Sequence, residues 1–97
     1  MPENCPLAVS FASYGAGIDH QAYAAVRRLL ASSRAVLSVA SYPWGREGEI
    51  SICVTPRSAA DAERLFHRIK AVFPRAPRGP LGVRTRSGLT YRASLYR

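Results

Sequence analysis

EISICVTPRSAADAERLFHRIKAVFP, residues 49–74, is the stretch that decides the fold. Its first seven residues alternate: Ile50, Ile52 and Val54 fall on one side, Ser51, Cys53 and Thr55 on the other, as a half-buried strand requires. Pro56 closes the strand. Ser58 then offers an N-cap, with Asp61 at the third helical position, where a capping box places Glu or Gln. Ala62, Leu65, Phe66, Ile69, Val72 and Phe73 follow at spacings of three and four, one apolar stripe of a helix. Pro74 stops it. The period changes from two to about 3.6 within a few residues, so this stretch is a strand leading into a helix that lies on the strand's apolar side.

The same grammar occurs earlier in the chain. LAVSFAS (7–13) alternates Leu7, Val9 and Phe11 against Ala8, Ser10 and Ala12. The loop Tyr14-Gly15-Ala16-Gly17-Ile18 comes next, and Asp19 caps a helix reaching Ser32, with Ala22, Tyr23, Val26, Leu29 and Leu30 as its apolar face. AVLSVASY (35–42) reads as a second strand, with Leu37 and Val39 toward the core, and PWGREG (43–48) as the turn that folds it onto residues 49–55 as a hairpin. PRAPRGPLG (74–82) reads as a linker, VRTR (83–86) as a strand, Ser87-Gly88 as a turn and LTYRASL (89–95) as an extra strand. The order β-α-β-β-α-β with right-handed crossovers predicts an α+β fold: a ferredoxin-like two-layer sandwich with both helices on one face of an antiparallel sheet of order 4-1-3-2, with room for an extra C-terminal strand. One domain spans 1–97, with 1–6 and 87–97 as its flexible candidates.

Bulk properties bound the function. The chain has 97 residues and a formal charge of +8. Residues 1–63 carry five Arg and six acidic residues; residues 64–97 carry nine basic residues and no acid. Such asymmetry suits nucleic acid or another acidic partner, although Arg accounts for thirteen of the fourteen basic residues, which a GC-rich coding bias would also produce. No apolar run reaches the ~18–20 residues of a membrane span, and MPENCPLAVSF lacks the basic start of a secretory signal. A cytoplasmic protein without membrane partners is expected, with Cys5 and Cys53 as free thiols.

If the bulky residues face the helices, the uncovered sheet face holds Ala8, Ser10 and Ala12, then Val36, Ser38, Ala40 and Tyr42, then Ser51, Cys53 and Thr55. RNA-recognition modules of this topology stack bases on aromatic rings there, and Ser51, Cys53 and Thr55 supply none. A flat face of small residues suits close packing against the C-terminal segment or the same face of a second copy, a homodimer through the open face.

Two sets of candidate residues follow. The first surrounds the glycine corner: Tyr14, Gly15, Gly17, Asp19 and His20, with Trp44 as an exposed anchor. A helix start offers free N–H groups to an anion, but the third glycine of a dinucleotide fingerprint and the Lys of a P-loop are missing. Asp19 also places a carboxylate where the anion would sit, so a tight strand-to-helix corner accounts for the same residues. The second set is basic: Arg75, Arg78, Arg84, Arg86 and Arg92, suited to phosphate contacts. His20, His67, Cys5 and Cys53 show no metal-ligand spacing, and no catalytic residue or cofactor motif stands out. A Cys53–His nucleophile pair competes with Cys53 as a small packing residue. Acylphosphatases resemble this topology and use an Arg in the first strand–helix loop; residues 14–18 contain none.

Tyr14-Gly15-x-Gly17-Ile18-Asp19, with Glu47-Gly48-Glu49 and Cys53 downstream, resembles small bacterial proteins and lipoprotein-like sequences of unassigned function. The resemblance spans residues 13–54 and carries no activity or site; the lipid-attachment signal of the lipoprotein forms is not present. The expected role is a non-catalytic binding or interaction module of αβ-plait type, with nonspecific nucleic-acid binding through the basic C-terminal third as the alternative.

Overall fold

The computed structural model describes residues 4–95. Its elements are β1 (Leu7–Phe11), α1 (His20–Ala31), β2 (Val36–Pro43), β3 (Ile50–Pro56), α2 (Ala59–Val72), β4 (Leu81–Thr85) and β5 (Thr90–Ala93). The five strands form one sheet of order β2-β3-β1-β4-β5, every neighbouring pair antiparallel. The expected four-stranded ferredoxin-like sheet of order 4-1-3-2 is thereby corrected. A five-stranded sheet stands in its place, and β4 is an inner strand flanked by β5.

Physically, β5 belongs to the sheet because it brings apolar groups to the helix side. Tyr91 stacks against Phe73 with ring centroids 6.2 Å apart, and the Lys70 ammonium sits 4.8 Å over the Tyr91 ring. Ala93 joins the buried core, and Leu89 packs on its rim. Gly88, with φ 115°, makes the tight β4–β5 turn that a side chain would resist. β4 also begins earlier than the linker reading allowed. Leu81 and Gly82 already pair with Phe11 and Ser10.

One core lies between the sheet and both helices. Leu7, Val9 and Phe11 of β1, Ile52 and Val54 of β3, and Leu81 and Val83 of β4 meet Val26 and Leu30 of α1 and Leu65, Phe66 and Ile69 of α2. At 25 cal/mol per Å2 of apolar surface, each such side chain contributes on the order of 1.5–3 kcal/mol. Both helix caps form as their residue types direct: Asp19 Oδ1 accepts from the Ala22 amide at 3.0 Å, and Ser58 Oγ from the Asp61 amide at 3.0 Å.

Two further expectations are corrected. In β2 the register shifts between Val36 and Ser38, a bulge that inserts one unpaired residue. Val36 therefore packs on the core, whereas Leu37 stands 56% exposed. From Ser38 onward the alternation is regular, and Val39 faces the core as expected. The cysteines are not free thiols: Cys5 and Cys53 form a disulfide, their Cα atoms 5.8 Å apart. Cys53 is opposite Ala8 of β1, and Cys5 lies outside the ladder, so the chain bends at Pro6, ahead of β1, to bring Cys5 back over Cys53 on the open face.

Candidate functional site

At the glycine corner, Gly15 and Gly17 take φ of 120° and 94°, the left-handed region that glycine tolerates without strain. Their amides do not point to an open seat. Both donate to Ser13 Oγ, at 2.8 and 3.0 Å. Asp19 is 4% exposed and spends both carboxylate oxygens within the chain, Oδ1 on Ala22 and Oδ2 accepting from the Arg78 amide at 2.9 Å. The segment before β4 closes over the corner: a Cβ on Gly79 would overlap the Ala12 carbonyl oxygen and lie 3.4 Å from the Asp19 amide. Tyr14 is tied outward, its hydroxyl sharing a hydrogen bond with Ser94 Oγ at 2.9 Å and accepting from the Leu95 amide at 2.6 Å. His20 sits exposed on the first turn of α1, and Trp44 is 54% exposed in the β2–β3 turn. That turn approaches the corner, with the Glu47 carbonyl 3.9 Å from where a Gly17 Cβ would lie. The Gly15 and Gly17 amides and the Asp19 carboxylate are thus spent on the chain itself, and the hollow of about 240 Å3 beside Asp19 is bordered by Gln21, Pro74 and Arg78 but by none of Tyr14, Gly15, Gly17, His20 or Trp44.

Asp19 is thus a structural clamp between α1 and the segment ahead of β4. Replacing it with Asn should lower unfolding free energy by about 1–3 kcal/mol. The amide keeps one carbonyl acceptor for Ala22 but turns an N–H toward the Arg78 amide, donor against donor. Urea unfolding of the D19N chain checks this; an unchanged midpoint would remove the clamp.

The basic candidates sort differently. On the open face, strand register sets side by side Ala40, Cys53, Ala8, Arg84 and Thr90 in one row, and Tyr42, Ser51, Ser10, Gly82 and Arg92 in the next. Arg86 follows Arg84 on the same side, its Nη1 donating to the Asn4 carbonyl at 3.1 Å and its amide to the Pro6 carbonyl at 3.0 Å. Arg86, in the turn just past β4, Arg84 on β4 and Arg92 on β5 therefore form a diagonal over this face, each step roughly 7 Å. No strand residue on this face is acidic. The acids of the described chain are elsewhere: Asp19 in the corner, Glu47 and Glu49 in the β2–β3 turn, Asp61 and Glu63 on α2.

Gly82 opens the surface between these arginines. A Cβ there would lie 2.9 Å from Ser10 Oγ, and without one a shallow cavity of about 200 Å3 remains, bordered by Ser10, Arg84, Thr90 and Arg92. A second, of about 370 Å3, lies over the disulfide beside Arg86, Ser38 and Tyr42. Arg75 shares a depression with Arg92 at the β5 edge, and Arg78 lies apart, beside the start of α1. Sequence reading found the arginines but not their alignment, because β4–β5 pairing places Arg92 beside Gly82. Strand alternation places Ser10 on this face, but nothing in a lone Gly-x-Arg signals that Gly82 leaves a gap beside it.

No family model, curated protein or solved structure matches this chain. Its chemistry must be read from the surface alone. Among the described residues no group of His, Cys, Asp and Glu can hold a metal ion, and no helix is long and apolar enough to cross a membrane. The Asp61 carboxyl is held below the ordinary carboxylate range by the hydrogen bond from Arg64 and then by Ser58; it lies on α2, away from the arginine diagonal. With both sulfurs bonded to each other, Cys53 has no thiolate to act as a nucleophile.

Proposed function

We propose that this protein is a non-catalytic binding module whose open sheet face takes the phosphate backbone of nucleic acid. The observation that carries this reading is the diagonal of Arg86, Arg84 and Arg92 over a floor of small residues, with no carboxylate among the strand residues of that face. Guanidinium groups present planar, two-pronged donors to phosphate oxygens. Tyr42 is the one aromatic ring among the strand residues of the face, so bases find little to stack on. Binding should follow charge rather than base sequence. The disulfide removes the free-thiol argument for a cytoplasmic location, because such bonds persist mainly in oxidising compartments.

Titrating a labelled single strand and a labelled duplex at two salt concentrations tests the proposal. Three phosphate contacts give log–log salt slopes of about −2 for the single strand and about −2.7 for the duplex. The Arg84→Ala/Arg92→Ala chain should weaken binding to all base sequences alike and flatten the slope by about two-thirds. No binding at low salt, or a slope indifferent to both substitutions, rejects the reading.

A further inference from the structure

The sheet has two edges, and they are unlike. β5 is four residues long and carries Arg92, a short and charged edge of the kind that resists pairing. β2 is eight residues long, VLSVASYP, without a charged side chain, and it pairs with β3 on one side only. Its surface includes Leu37, 56% exposed.

Backbone direction shows what this edge offers. The Trp44 amide donates to the Glu49 carbonyl at 3.0 Å, continuing the β2–β3 ladder by one residue. Amide direction alternates along a strand, so Tyr42 and Ala40 also point at β3, while Ser41 and Val39 point outward. Pro43, at the next outward position, has no N–H to offer and ends the pairing edge.

We infer that β2 pairs with β2 of a second copy, antiparallel about a two-fold axis at Ala40, joining the two sheets edge to edge. In that register Ala40 faces the partner's Ala40 in a non-hydrogen-bonded pair. Val39 and the partner's Ser41 exchange both backbone bonds, and symmetry repeats the exchange, giving four in all. Leu37 comes beside the partner's Pro43, which shields it from water.

Charge favours this occupant. At the N-terminal end of β2 stand Arg34 and Arg57, the Arg57 Nε donating to the Arg34 carbonyl at 2.6 Å. At the other end the turn carries Glu47 and Glu49 with Arg46, a net negative charge. The two-fold axis lays each cationic end against the partner's acidic turn. Pairing through the open faces would instead bring the Arg84, Arg86 and Arg92 diagonal against its own copy. The axis is perpendicular to the sheet, so both open faces look the same way; any sharing of one nucleic-acid strand between them rests on the proposed function, whereas the dimer does not.

Sedimentation equilibrium on the full chain without nucleic acid, from micromolar to millimolar concentration, is the test. The apparent mass should rise twofold. Ser41→Pro deletes one outward N–H at an edge position that tolerates proline, so the β2–β3 ladder stays intact. This chain should remain folded by circular dichroism and monomeric throughout. Hydrogen exchange on the unaltered chain gives a second reading should the variant fail to fold: the Val39 and Ser41 amides slow as concentration rises, while exposed amides of the β2–β3 turn do not. Arg84→Ala/Arg92→Ala should dimerise unchanged, which separates this inference from the binding proposal. A monomer at every concentration overturns it, as does a dimer, with any partner surface, in which the Val39 and Ser41 amides exchange freely.

Discussion

Removing the Cys5–Cys53 disulfide should lower the unfolding free energy by about 4 kcal/mol. The two cysteines are 48 residues apart, and the chain-entropy relation for a loop of that length gives about 13–14 cal/mol/K, or about 4 kcal/mol near room temperature. A domain of this size has roughly 5–15 kcal/mol in total, so one bond accounts for a large share. Alanine is the better replacement at Cys5, which is buried and would trap a serine hydroxyl without water. The Cys5→Ala/Cys53→Ala chain should melt roughly 15–30 °C below the parent. Parent protein in reductant should approach it. Equal melting temperatures with and without reductant would show that the bridge contributes nothing to the fold.

Truncating Phe11 should cost a similar amount, about 3–5 kcal/mol. Phe11 is fully buried at the end of the central strand, opposite Ile50 of β3 and Leu81 of β4. Its ring meets Tyr23 of α1 edge-on, centroids 5.1 Å apart at 76°. Phe11→Ala removes the ring from a site walled by two strands and a helix, where little can collapse to fill it. Leu37→Ala is the matched control. Leu37 was expected at a core position on a strand, yet the bulge leaves it exposed, so its truncation should shift stability by less than ~0.5 kcal/mol. Urea titration of both variants at concentrations low enough to keep the chain monomeric measures the contrast; comparable losses there would mean that Leu37 is buried within the single chain.

That contrast marks how far local pattern reaches. In β3 and α2 the period of the apolar residues names the buried face directly, because Ile52, Val54, Leu65, Phe66 and Ile69 have no other way to leave water together. The Asp19 and Ser58 caps were equally legible, since each acts on an amide three residues away. Leu37 was misread because a bulge is a property of two strands, and no periodicity within one of them reports it. The fifth strand was visible as an option in LTYRASL; its attachment to β4, which moved that strand inward, depends on Tyr91 reaching Phe73 and Lys70 on α2.

For the candidate site, charge segregation toward the C-terminal third was evident in the sequence, and so was the shortage of aromatic rings for base stacking. The diagonal was not. Arg84 and Arg86 share a face by the two-residue repeat, but Arg92 joins them only through the β4–β5 register, while Arg78, equally basic, is held beside the start of α1, where its backbone N–H donates to the Asp19 carboxylate.

What the sequence by itself determined about this protein is whatever acts within a few residues: strand alternation, helix faces, caps, the glycine corner and net charge, each set by local geometry and burial. Only the tertiary structure decided the bulge that exposes Leu37, the bond between Cys5 and Cys53, the inner position of β4 and the arginine diagonal. Each of these joins groups distant in the chain, and their meeting depends on strand pairing and on the bend that carries Cys5 over β3, which the packing of the whole core selects.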